Sequence, residues 1–194
     1  MLQYLNQIAD IRVGYQPKTC IQENAESDFF LLQGKDFNGA NLMKKENILR
    51  FSPERNPHLY LAQKGDVLFL AKGIEHFAYY VDKNFKNTLV SASFYILKVK
   101  TREVLPEYLA WVMNQQQAKL YFDRYSAQTA VSFLSKQTLG QLEIHIPSIN
   151  VQQKICNVVK LWKHEMDLYD KRTKIRSTLI NKLCMNVAKQ KGER

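Results

Sequence analysis

Pro147-Ser-Ile-Asn-Val-Gln152-Gln153-Lys-Ile155 leaves one kind of sequence and enters another: a strand lies behind it, and about forty residues without proline or glycine run ahead of it to Gly192. Apolar residues recur in that run at Ile155, Val159, Trp162, Met166, Tyr169, Ile180, Leu183 and Val187. Three or four apart, they form one stripe of an amphipathic helix. At about 1.5 Å per residue such a helix extends roughly 60 Å, beyond the compact domain that precedes it. The stripe therefore asks for a second helix, from this chain or another. Trp162 and Tyr169 are its expected anchors, because large aromatics dominate interfaces; packing on the chain's own domain is the alternative for both.

Upstream, the sequence reads as β structure. Phe29 to Gln33, Ile48 to Phe51, Val67 to Ala71, Phe77 to Val81 and Leu89 to Lys98 are short runs rich in aromatic and branched residues, divided by Gly, Asn, Asp and Pro. Leu2 to Ile11 reads as a short helix or turn leading into Arg12 and Val13, with Gly14, Pro17 and Lys18 breaking the element. Pro106 opens a helical stretch through Tyr108, Leu109, Val112 and Met113 toward Tyr121 and Phe122. Ser135 is the expected N-cap of a short helix that Gly140 ends. Leu142, Ile144 and Ile146 then alternate with Glu143 and His145 in a last strand. The expected architecture is α+β: one globular domain over residues 1–149, with a multi-stranded sheet and short helices, then a long C-terminal helix over 150–194 that forms a coiled coil with a partner.

The 194 residues hold one domain with a proper core plus this extension. The net charge is +10, and from Asn150 onward there are eleven Lys/Arg against four Asp/Glu. That asymmetry suits a polyanion such as nucleic acid, and equally a solvated lysine-rich helix face. No run approaches the eighteen apolar residues of a membrane span, and Met1 to Arg12 lacks the apolar core of a signal peptide. Cys20, Cys156 and Cys184 are widely spaced and odd in number, which points to neither a disulfide framework nor a metal knuckle. A reducing, cytoplasmic setting is expected, with no membrane partner.

Catalytic patterns are missing. The seven glycines form no Gly-x-Gly pair for a nucleotide cofactor. Gly34 and Gly39 have phosphate-loop spacing, but Ala40-Asn41 stands where Lys-Ser or Lys-Thr should follow. No glutamate has a lysine two residues later, as a Mg-dependent nuclease would want. His58, His76, His145 and His164 are scattered without ligand spacing, and His145 lies on the polar side of its strand. No cofactor, no metal and no catalytic residue is expected, and the chain is read as not an enzyme by itself.

Three stretches together resemble one half of the specificity subunit of a type I restriction-modification system. They are Leu5-Asn-Gln-Ile-Ala-Asp-Ile-Arg-Val-Gly14 with Pro17 and Lys18; Lys64-Gly-Asp-Val-Leu-Phe-Leu-Ala-Lys-Gly73; and a series in the family's order. That series is Pro106-Glu-Tyr-Leu109, Ala130-Val-Ser-Phe-Leu-Ser135, Leu139, Leu142-Glu-Ile-His-Ile-Pro147 and Gln152-Gln153-Lys-Ile155. The resemblance implies a target-recognition domain that reads half of a split DNA site. It also implies a conserved spacer helix, and partners that methylate adenine and translocate and cut DNA. Family members carry two domains and two antiparallel helices. This chain departs in holding one of each, so two copies pairing their helices would rebuild the plan as a homodimer on an inverted, bipartite site. The partner-facing residues are then Ile155, Val159, Trp162, Met166, Tyr169, Ile180 and Leu183, whether the client is a second copy or a methyltransferase subunit.

Base readout favours Arg, Lys, Asn and Gln on loops that enter the major groove, with Lys, Arg, Ser and Thr on phosphates. Three loops offer candidates: Lys35, Asn38, Asn41, Lys44 and Lys45; Lys72, His76 and Tyr79; and Arg124, Ser126, Gln128, Thr129 and Lys136. A different reading is an interaction or decoy protein, which pairs through its helix with another specificity subunit or binds DNA without sequence preference. A stand-alone nuclease is the third.

Overall fold

The computed structural model describes residues 1–18, 20–42, 48–126 and 132–190. In chain order the elements are β1 (Leu2–Tyr4), α1 (Leu5–Ile8), β2 (Ala9–Val13), β3 (Phe30–Leu32), β4 (Phe37–Asn38), β5 (Asn41–Leu42) and β6 (Leu49–Arg50). Then follow β7 (Val67–Leu70), β8 (Lys72–Gly73), β9 (Ala78–Tyr80), β10 (Thr88–Val90), β11 (Phe94–Val99), α2 (Pro106–Met113) and α3 (Gln116–Tyr125). The chain ends with β12 (Ser132–Phe133), α4 (Lys136–Gly140), β13 (Glu143–His145) and α5 (Ile149–Gln190). The fold is α+β, and the chain divides into two compact units, Met1–Gln153 and Lys154–Arg194.

The central sheet of the first unit has the order β2-β11-β7-β9 and is antiparallel throughout. All four residues of β7 are buried, which explains its unbroken apolar run: a strand covered on both faces has no polar side. Val67 and Phe69 join Tyr95 and Leu97 in a core with residues of α1 to α4, while Leu68 and Leu70 join Phe94 and Ile96 in a second core on the other face. The register Leu70↔Phe94 to Val67↔Leu97 keeps each face consistent, and a one-residue slip would exchange them. Burying each such side chain stabilises the fold by about 1.5–3 kcal/mol. A third strand group, β10-β3-β6, joins β3 to β10 in parallel and to β6 antiparallel.

The Gly65-Asp66 turn feeds β7. Gly65 has φ +95°, a conformation glycine adopts without a steric penalty. The Asp66 carboxylate accepts the Gln63 backbone N–H at 3.0 Å and closes the turn. Gly14 answers a different need: a Cβ there would lie 2.1 Å from the Ser91 carbonyl oxygen. With no side chain in the way, the backbone runs on so that Tyr15 bridges Ser91.

Three expectations change. Leu2 to Tyr4 is a strand, not part of a helix or turn, because β13 supplies its ladder partner in the register Leu2↔His145. The single run Leu89 to Lys98 divides at Ser91-Ala92-Ser93 into β10 and β11, which belong to different sheets. The helical stretch from Pro106 breaks at Asn114, whose side chain accepts the Ala78 N–H at 2.9 Å and donates to the Ala78 carbonyl at 2.7 Å, acting as a ladder partner for β9. Ser135 caps α4 by accepting the Thr138 N–H at 3.0 Å.

α5 is 42 residues long. Its Gln152 is fully buried and has its polar atoms paired within the first unit. Nε2 donates to the Glu103 and Pro147 carbonyls at 2.7 and 2.8 Å, and Oε1 accepts the Leu105 N–H at 2.9 Å. Among the described residues no helix is long and apolar enough to cross a membrane.

Candidate nucleic-acid interface

The first unit carries a cleft of about 880 Å³, walled by the segments around Tyr15–Pro17, Gln33–Gly39, Leu70–Phe77 and Ser91–Ser93. Leu70 explains how distant segments come to share it. A Cβ on Gly34 would stand 3.3 Å from its Cδ1, and one on Gly73 would stand 2.8 Å from its Cδ2. Both glycines close on one leucine, and each has a lysine beside it, Lys35 and Lys72. Two of the three candidate loops thus reach one cleft, which Lys35, Asn38 and Lys72 line. Lys35, Asn38 and Lys72 are exposed. In the cleft wall, Gln33 Oε1 is buried and has no hydrogen-bond partner among the described residues.

Beneath Lys35, the Asp36 carboxylate accepts the Gln33 N–H at 2.8 Å. Burial pushes Asp36 above the usual carboxylate range, while that hydrogen bond and the Lys35 ammonium pull it down. The cleft therefore pairs its cationic rim with a buried carboxylate that holds the turn together.

The other candidates are placed differently. His76 is buried, with Nδ1 2.9 Å from the Leu70 carbonyl and Nε2 2.9 Å from Ser132 Oγ. Its ring stacks on Phe69 with centroids 5.8 Å apart. Both ring nitrogens are thereby occupied, so in this conformation His76 fastens the turn after β8 to β12 and offers no free edge. Tyr79 is half-buried with its ring 5.2 Å from that of Phe37; burial and then Asp82 push its hydroxyl up to about 12. Arg124 is exposed near the end of α3, Ser126 caps that helix, and Lys136 is exposed at the start of α4; none lines the cleft. Asn41 enters through its backbone pairing with Asn38. Lys44, Lys45, Gln128 and Thr129 lie outside the described residues.

One further residue, not among the polar candidates, stands at the cleft rim: Ile74 is 96% exposed. Its only sequence signal is an apolar side chain inside a turn, between Gly73 and Glu75.

The second unit offers a different surface. Trp162 is 57% and Tyr169 51% exposed, and Met166, Ile180 and Leu183 are likewise exposed, while Ile155 and Val159 are half-buried. The described residues contain no group of three or more His, Cys, Asp or Glu able to hold a metal ion, and all three cysteines are free thiols.

Residues 4–183 match the type I restriction modification DNA specificity domain family. The HindI type I restriction enzyme specificity subunit of Haemophilus influenzae is 26% identical over 121 residues, covering 60% of this chain and 26% of that protein. The type I restriction-modification S subunit of M. genitalium shares the fold, with a TM-score of 0.58 at 16% identity over 86% of this chain and 40% of the other. A chain from a study of complex assembly and conformational transition in a type I R-M system gives 0.59 at 14% identity, over 85% and 38%. This chain thus spans well under half the length of each of these relatives.

Proposed function

The chain belongs to the type I restriction modification DNA specificity domain family, and on that premise we propose that it reads one half of a bipartite DNA site and directs adenine methyltransferase and restriction subunits to it in the cytoplasm. Residues 1–149 are the target-recognition domain in this reading, and residues 150–194 the spacer and dimerisation helix. The chain itself does no chemistry. The observation that carries the proposal is the family match running through both parts, from residue 4 into the long helix at residue 183. The cleft that gathers Lys35, Asn38 and Lys72 supports it by supplying phosphate and base-edge donors on one surface.

The helix is self-complementary in one orientation. About a twofold axis at Lys171, an antiparallel copy sets Ile155 opposite Val187, Val159 opposite Leu183, Trp162 opposite Ile180, Met166 opposite Arg176 and Tyr169 opposite Thr173. The steps alternate four and three, the spacing of a heptad seam. The Arg176 stem covers the Met166 side chain while its head reaches water. Charge adds one favourable pair to this arrangement. About that axis Asp170 stands opposite Arg172, while Lys171 meets its own copy and Lys160 stands opposite Lys182; parallel copies in register align every charge with its like. A twofold dimer carries two recognition domains in inverted relation, and its DNA site is an inverted repeat with a gap.

The test is to tag the full chain in its native host and identify by mass spectrometry what is recovered with it. An adenine methyltransferase subunit is the expected companion. A full-length specificity subunit recovered without a methyltransferase would refute the proposal.

A further inference from the structure

Resting on that reading of the domain as a DNA reader, we propose that Ile74 is a specificity-determining residue which packs against the C5 methyl group of a thymine in the major groove. Among the described large hydrophobic residues none other is more than 70% exposed, and Ile74 is at 96%. Its turn is anchored on both sides. Before it, Lys72 and Gly73 pair with Phe133 and Ser132 of β12, and Gly73 sits against Leu70 with no space for a Cβ. After it, His76 is clamped between the Leu70 carbonyl and Ser132 Oγ, and the Leu70 N–H donates to the Phe77 carbonyl at 2.9 Å. Ile74 is therefore a projecting apolar tip on a fixed base. A β-branched side chain with restricted χ1 has little freedom left to lose on binding.

The neighbours decide what the tip meets. Lys72 on the same turn and Lys35 across the cleft suit phosphates on either side of a groove. Glu75, exposed next to Ile74, repels phosphate and accepts from the cytosine amino group, so the tip itself belongs at base edges. The thymine methyl is the apolar group displayed on the major-groove base edges, and the minor groove displays none. Insertion between base pairs as a wedge would demand a kinked duplex.

The experiment uses the full chain with the adenine methyltransferase subunit of its host. Bound duplexes are selected from a random pool, and each thymine of the selected site is then replaced in turn by deoxyuridine, which lacks only the methyl group. One thymine in each inverted half-site should, when replaced, weaken binding about fourfold, the effect of burying a single methyl. Ile74→Ser removes the contact in both protomers, so it should lose about sixteenfold on the thymine duplex, bind thymine and uracil duplexes alike, and melt as the parent does. Equal binding of every uracil duplex overturns the contact, as does an Ile74→Ser protein that still prefers thymine. Uniform weakening by Ile74→Ser without any methyl dependence replaces the contact with a wedge. A pool that returns no motif refutes the DNA-reading role itself, and the methyl contact with it.

Discussion

Replacing Gln152 by Leu keeps the volume at the head of α5 and removes its polar atoms. The Leu105 N–H and the Glu103 and Pro147 carbonyls each lose a partner at 2.7 to 2.9 Å. Gln152 has no exposed surface, so no water can step in without opening the packing. A hydrogen bond contributes about 0.5–1.5 kcal/mol net, and a buried group left without one costs about 1–3 kcal/mol. Three lost contacts thus amount to about 3–4 kcal/mol. In a chain of this size that corresponds to a fall in Tm of roughly 10 °C. Urea unfolding of the full chain, followed by tryptophan fluorescence, measures it against Lys154→Gln, an exposed change two residues further on that is expected to stay within about 0.5 kcal/mol. A loss below about 1 kcal/mol for Gln152→Leu would refute the view that this glutamine fastens the start of the helix to the segments around Glu103, Leu105 and Pro147.

Gly14→Ala should cost about 3 kcal/mol or more, because the new Cβ meets the Ser91 carbonyl at 2.1 Å and backbone must move; thermal melting checks it, and a neutral result contradicts the close approach. Burial raises the Asp66 pKa above its ordinary 3.8, against the Gln63 hydrogen bond and the Lys98 and Arg12 charges. Because the folded pKa is the higher one, the folded state binds the extra proton, so this group's contribution is fullest below about pH 3.8 and is lost as pH rises through the folded value. The stability of Asp66→Asn relative to the parent should therefore improve as pH rises through that window; a constant difference in urea midpoint would contradict the sign. Trp162→Asp with Ile180→Asp puts carboxylates opposite each other in the proposed antiparallel seam and should leave a monomer by sedimentation, without lowering the melting temperature of the first unit.

Local signals were legible where they decide the structure alone. Pro106 starts a helix, Ser135 caps one, the alternation Leu142-Ile144-Ile146 makes a one-sided strand, and the proline-free run after Pro147 is a single helix. What stayed hidden depends on partners far along the chain. Leu2 to Tyr4 is extended only because β13 pairs with it. Ser91 to Ser93 turns because Tyr15 bridges there and β11 pairs with β2 and β7. The candidate site divides the same way. Polar loops were visible as polar loops, but that Lys35 and Lys72 share one cleft depends on two glycines meeting Leu70. Nothing local to His76 announces Ser132 and Phe69 around it.

The most direct test of the central claim is a methylome. The full chain and the host's adenine methyltransferase subunit are expressed together in a strain free of other adenine methylation, and N6-methyladenine is mapped across the genome by single-molecule sequencing. The account predicts methylation at one gapped motif whose two halves are inverted copies. Adenine methylation at sites with no common sequence, or none while both proteins are present, would contradict it.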